Sequence, residues 1–165
     1  MMDQALMGRL ATPPRYASPR GGLSPQTSLL SGRAVFTDSY AVIPGGVMQD
    51  IVTTALPFWE KTRAWVLARP MSGFAETFSQ YILEVEPGGG SAQPEPDMSA
   101  EAVLFVLEGG LVLDIAGERH VMNPGGYAYL PPASGWTLRN RGGETLRFHW
   151  IRKAYEAVDG LDAPD

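Results

Sequence analysis

The strongest constraint on this chain is its punctuation: glycine or proline cuts its short apolar runs about every eight to ten residues. Ala102-Val103-Leu104-Phe105-Val106-Leu107 ends at Gly109-Gly110, and Leu111 to Ile115 turns at Gly117. His120-Val121-Met122 leads to Pro124-Gly125-Gly126, Tyr127 to Leu130 leads to Pro131-Pro132, and Thr145 to Arg152 follows Arg141-Gly142-Gly143. Glycine supplies backbone conformations with positive φ and proline withholds a donor, so helices of useful length have no room between them. Such spacing predicts roughly eight to ten short antiparallel strands and an all-β sandwich or closed barrel, architectures that protect their strand edges. The 19 glycines and 14 prolines are spread along all 165 residues, so the prediction covers the chain and not one segment.

Along the chain, Pro13-Pro14, Pro19, Gly21-Gly22 and Pro25 predict an extended N-terminal arm over residues 1–32. Ala34-Val35-Phe36 and Tyr40-Ala41-Val42-Ile43 read as the first strands, and Trp65-Val66-Leu67-Ala68 as another. Gly46 to Glu60 has room for a short helix at most. Phe78, Tyr81, Ile82 and Val85 mark a strand over Ala75 to Glu86 that is expected to stop at Pro87-Gly88-Gly89-Gly90. A polar loop, Ser91 to Ala100, precedes the six-residue apolar run at Ala102, which reads as the best buried strand of the chain. Trp136 to Arg139 and Thr145 to Arg152 supply the last two strands. The predicted organisation is an arm over 1–32, a barrel over 33–155 and a polar tail or linker over 156–165.

Composition removes several classes of function. With no cysteine there is no disulfide and no thiolate nucleophile or ligand. Net charge is −5 and the 13 basic residues are scattered, which leaves no electrostatic footprint for nucleic acid or an anionic membrane. No apolar stretch approaches the roughly 18 to 20 residues that span a bilayer, and Met1-Met2-Asp3-Gln4 lacks the plan of a signal peptide, so a cytoplasmic location is expected. Serine-nucleophile motifs and dinucleotide fingerprints are missing: Gly88-Gly89-Gly90 follows a strand but opens a proline-rich loop, not a helix.

Two stretches between residues 88 and 140 resemble the paired motifs of the cupin superfamily. Val106-Leu107-Glu108-Gly109 matches the end of the first motif, and Pro124-Gly125-Gly126, Pro131 and Trp136 to Asn140 match the second. The resemblance implies a cupin-type antiparallel β-barrel, a jelly roll. Counting back from Gly109 at the family's spacing places Ala102 at the glutamate-ligand position and Pro96 and Met98 at the histidine pair, while Trp136 takes the place of the remaining histidine. None of these four side chains binds a divalent cation. A shift of one residue would instead offer Glu95, Asp97 and Glu101 as oxygen ligands for a hard cation, but it would turn Glu101 to the face opposite Leu104 and Val106 unless a bulge intervened. The plainer reading of these carboxylates is a solvated acidic loop.

A closer resemblance runs through Ser31-Gly32-Arg33-Ala34-Val35, Ile43 to Val47, Glu101 to Gly109, Gly125-Gly126-Tyr127-Ala128-Tyr129-Leu130-Pro131-Pro132 and Arg152 to Tyr155. These segments look like the N-terminal half of the (S)-ureidoglycine aminohydrolases, two-cupin proteins of purine and ureide catabolism also described as glyoxylate-induced. The resemblance implies a hydrolase acting on carbon–nitrogen bonds with manganese in the second, C-terminal cupin, and an N-terminal cupin that naturally lacks the ligands. It implies no cofactor in this chain, a second cupin domain as partner and a homo-oligomer. The alternative is a stand-alone metal-free cupin that binds a small molecule or acts as a structural or regulatory subunit.

No catalytic or metal-binding residue is assigned to this chain; Trp136, Tyr129, Glu101 and His149 are its pocket-lining candidates. Trp136 either fills the volume of the missing metal or forms a stacking wall for a planar ligand, with Tyr129 and Glu101 as polar partners. His149, between Phe148 and Trp150, reads as a satisfied core or rim histidine before an acid–base group. His120, beside Glu118 and Arg119, reads as a surface residue.

Overall fold

A computed structural model describes residues 35–36, 40–44, 53–69 and 77–162. They fall into two units divided between Ile51 and Val52. In the first, β1 (Val35–Phe36) pairs antiparallel with β2 (Ala41–Val42), Val35 opposite Val42, as the two opening strands expected from sequence. The predicted arm over 1–32 lies outside the described residues, as does part of the stretch from Gly46 to Glu60 that had room for a short helix; its described part, from residue 53, contains no helix.

The second unit holds β3 (Glu60–Ala68), β4 (Phe78–Ser91), β5 (Ala100–Glu108), β6 (Leu111–Ile115), β7 (Glu118–Met122), β8 (Tyr127–Leu130), β9 (Thr137–Arg139) and β10 (Leu146–Ala154). The strands pair in the order β7-β6-β9-β4-β10-β5-β8, with β3 on the free side of β4, and every pairing is antiparallel. Among the described residues there are ten strands and no helix, so the predicted all-β cupin barrel is what forms. β10, late in sequence, takes the middle seat between β4 and β5.

One turn expected from sequence does not occur. β4 does not stop at Pro87 but continues through Gly88, Gly89 and Gly90 to Ser91. Its first part pairs with β3 and β10, and Gly90 and Ser91 pair with Arg139 and Leu138 of β9. The glycines bend the strand instead of ending it. Gly88 and Gly90 have φ of 76° and 133°, and a Cβ on Gly90 would stand 2.1 Å from the Leu138 carbonyl oxygen. Asn140, fully buried, pins the bend: its Nδ2 donates to Val85 O and Glu144 O, each at 2.8 Å, and its Oδ1 accepts from Gly142 N at 2.9 Å.

Period-2 alternation sorts the side chains. Leu146, Phe148 and Trp150 of β10 lie opposite Val85, Leu83 and Tyr81 of β4, and Phe148 and Trp150 also face Val106 and Leu104 of β5. These residues join Leu111, Leu113, Leu130, Trp136 and Leu138 in one core. Fully burying each such side chain contributes roughly 1.5–3 kcal/mol. The apolar run of β5 is buried on this face only: Leu104 and Val106 are inaccessible, whereas Phe105 between them is 41% exposed. The other face carries a row of charges in register, Arg63, Glu84 and Arg147, with Glu108 beyond. Arg147 reaches Glu84 at 2.7 Å and Glu108 at 2.9 Å, and Arg63 reaches Glu84 at 2.8 Å.

Candidate functional site

The inward row of β10 continues past Trp150 to Arg152, which stands opposite Ser79 of β4 and Ala102 of β5 at the barrel mouth. A guanidinium on an inward face needs a partner, because a buried unpaired charge is costly. Glu95, from the β4–β5 loop, provides it: Arg152 Nη2 donates to Glu95 Oε1 at 2.8 Å and Nε lies against Oε2. The Glu95 side chain is only 7% exposed. Asp97 Oδ2 lies 3.8 Å from Arg152 Nη2. The loop holds itself in place, with Asp97 N donating to Glu95 Oε1 at 2.9 Å and Ser99 N and Oγ donating to Asp97 Oδ1 at 2.9 and 2.7 Å. The Ser99 donors hold the Asp97 carboxyl below its ordinary pKa.

Aromatic rings surround the ion pair. The Arg152 guanidinium carbon lies 5.9 Å from the Trp150 ring centroid, Tyr81 packs on Trp150 at 5.5 Å, Trp59 at 5.7 Å, and Trp136 meets it edge-on at 6.0 Å. The Trp150 indole Nε1 is buried and has no hydrogen-bond partner among the described residues. Above these groups opens a cavity of about 190 Å³, room for about six waters, lined by Phe58, Trp59, Tyr81, Glu95, Asp97 and Arg152 among others.

The positions that bear metal ligands in other cupins meet around this mouth without forming a cation site. Ala102 and Trp136 are buried on the inner side, Pro96 lines the cavity, and Met98 is 62% exposed. Of the three carboxylates that a shifted register would offer, Glu95 and Asp97 converge on Arg152, while Glu101 faces the other side of the sheet. There it accepts from Tyr129 Oη at 2.6 Å and pairs with Lys153 Nζ at 3.3 Å. Among the described residues no group of three or more His, Cys, Asp or Glu could hold a metal ion. These residues do not fit manganese, and the chemistry open to the mouth is binding through ion pairs and ring faces. The acidic loop is not simply solvated: Arg152 draws Glu95 into the mouth.

The four pocket candidates from sequence divide between two faces. Trp136 is 5% exposed in the core, its ring against Trp150. Tyr129 and Glu101 come together on the outer face, beside an open groove of about 480 Å³ that Phe78, Gln80, Val103 and Ile151 also line. Burial and the Glu101 carboxylate push the Tyr129 phenol up to about 12. His149 lies on the same outer face, half-buried, its Nδ1 3.5 Å from Gln80 Nε2, and burial lowers its pKa. Trp136 therefore cannot share a cavity with Tyr129 and Glu101. His120 is exposed, 3.8 Å from Glu118. Sequence reasoning missed Arg152, Trp59 and Trp150, although one signal was available: in a strand whose Phe148 and Trp150 face inward, Arg152 has the same parity.

Residues 81–152 match the family model described as a cupin domain. The chain is 28% identical to the (S)-ureidoglycine aminohydrolase of Escherichia coli over 134 residues, which is 80% of this chain and 49% of that enzyme. A crystal structure from Pseudomonas aeruginosa, described as a glyoxylate-induced protein, is 57% identical with a TM-score of 0.74 over 90% of this chain and 53% of its own. The chain is a cupin related to the ureidoglycine aminohydrolases. The crystal structure of protein Ylba from E. coli follows, 26% identical with a TM-score of 0.69, covering 83% of this chain and 55% of that one. This cupin thus spans about half the length of these relatives. Among its described residues no helix is long and apolar enough to cross a membrane.

Proposed function

We propose that this cupin is the metal-free N-terminal half of a ureidoglycine aminohydrolase-like protein, with the ammonia-releasing chemistry in a second cupin. One observation carries the reading: the similarity extends over 80% of this chain but 49% of the E. coli enzyme, and within it the ligand positions hold Pro96, Met98, Ala102 and Trp136. Manganese in the second cupin would supply Lewis acidity. This half contributes barrel packing, oligomer contacts and part of the substrate entrance, in the cytoplasm and within purine catabolism. The natural reading frame, followed past Asp165, is expected to encode a cupin with a Glu-x-His-x-x-x-His string. The present chain alone, supplied with manganese, is expected to release no ammonia from (S)-ureidoglycine, and the two-cupin polypeptide to release it. Turnover by the present chain alone would overturn the assignment.

The second reading, a stand-alone cupin that binds a small molecule, is favoured by the aromatic cavity over the Arg152–Glu95 pair. Tight retention of a ligand by a chain that ends naturally at Asp165 would select it.

A further inference from the structure

We infer that the barrel mouth is a binding site for a small organic cation, an alkylammonium group with a compact apolar body. The inference does not depend on where the hydrolase chemistry resides. Three features of the cavity converge on it: charge, ring surface and backbone.

Two carboxylates and one guanidinium line the cavity, Glu95, Asp97 and Arg152, which leaves a local charge of −1. The guanidinium already has a counter-charge: its Nη2 donates to Glu95 Oε1 and its Nε lies against Glu95 Oε2. Asp97 is the uncommitted group: its Oδ1 is occupied by Ser99, but its Oδ2 stands 3.8 Å from Arg152, beyond a hydrogen bond, and its side chain is half exposed. A further anion would enter against net negative charge, whereas a cation would complete the pairing of Asp97. The sign of the charge therefore selects the ligand.

The walls match the same chemistry. Trp59, just before β3, and Tyr81, within β4, are only partly buried and line the cavity, and Phe58 is 61% exposed beside them. Ring faces next to a carboxylate attract alkylammonium ions through the quadrupole, and they exclude compact, strongly hydrated ions that cannot shed water onto them. Phe58 has φ of 67°, a left-handed conformation that costs a non-glycine residue energy, and it holds an apolar ring at the rim where burial does not reward it. The volume of about 190 Å³ admits a compact ammonium compound and excludes nucleotide-sized ligands.

The test uses the full chain and the indole N–H resonances of its four tryptophans, followed by NMR during titration with tetramethylammonium chloride or n-butylammonium chloride. Sodium chloride and sodium propionate serve as ionic-strength and anion controls. Saturable shifts of the Trp59 and Trp150 indole signals with either ammonium salt, and none with propionate, are expected. Asp97→Asn keeps an acceptor for Ser99, so the loop holds, and it is expected to weaken binding at least about tenfold. Glu101→Gln, on the opposite face, is expected to leave binding unchanged. Saturation by propionate, wild-type affinity in Asp97→Asn with the other indole signals undisturbed, or no saturation by about 10 mM ammonium salt would each overturn the proposal.

Discussion

Two arginines of β10, five positions apart, end in different settings. Arg147 points outward into a row fixed entirely by strand register, where Arg63, Glu84, Arg147 and Glu108 alternate and their charges cancel. Arg152 points inward and takes its partners from a loop, where Glu95 and Asp97 outnumber it. In the first case every charge has a neighbour set by the ladder, and the row clamps four strands together. In the second the excess carboxylate stands beside open aromatic surface. The comparison teaches that a paired arginine is structural when its row is neutral, and marks a site when pairing leaves charge over next to aromatic surface.

The largest expected effect breaks the outer row. Glu84→Ala removes the carboxylate that two guanidiniums share, and about 3 kcal/mol of stability is expected to go with it, at the lower end for a broken buried pair because Glu108 still holds Arg147; urea unfolding measures it. A smaller loss, about 1–2 kcal/mol, is expected from Glu95→Gln by the same measurement, since Arg152 is 27% exposed and Asp97 remains nearby. If Glu95→Gln cost more than Glu84→Ala, the mouth pair would be the structural one and the distinction would collapse.

The remaining tests concern pH. The Asp97 carboxyl has a folded pKa below its ordinary 3.8, so its contribution is present above about pH 4 and is lost as pH falls through the lowered folded value. Asp97→Asn should flatten that acid limb of a stability-versus-pH curve. The smallest effect lies on the outer face. Tyr129 has a folded pKa raised to about 12, so its stabilisation is complete below pH 10 and fades as pH rises toward 12. Tyrosinate absorbance should show the Tyr129 phenol titrating late in the native protein, and Glu101→Gln should bring that titration earlier without disturbing the mouth.

Much of the fold was legible because it is written locally. Each hairpin from Gly109 to Gly143 carries its own turn residues, and these alone divide β5 to β10. The bend of β4 was not, since Pro87-Gly88-Gly89-Gly90 has the same wording whether a chain reverses or leans into a neighbour; the carbonyl of Leu138 decides, and it is 48 residues from Gly90. The site was legible only in part. Parity along β5 sets Glu101 on the face opposite Leu104 and Val106, where it meets Tyr129 and not Trp136, so the three did not group as a pocket. Glu95 could not be matched to Arg152 beforehand, because 57 residues separate them and only the closed barrel brings the loop over the mouth.

The central position of β10 has a consequence for how the molecule comes into being. Synthesis delivers β4 and β5 well before the strand that joins them, so the nascent sheet has an empty slot, with Leu83 and Leu104 unsheltered on its two banks, until Leu146 to Ala154 emerges. Pairing over such sequence distances is slow, and an unfilled slot between two strands accepts any extended segment. A chain interrupted before residue 146 is therefore expected to expose that slot and to aggregate, and the arrival of one strand to end the exposure.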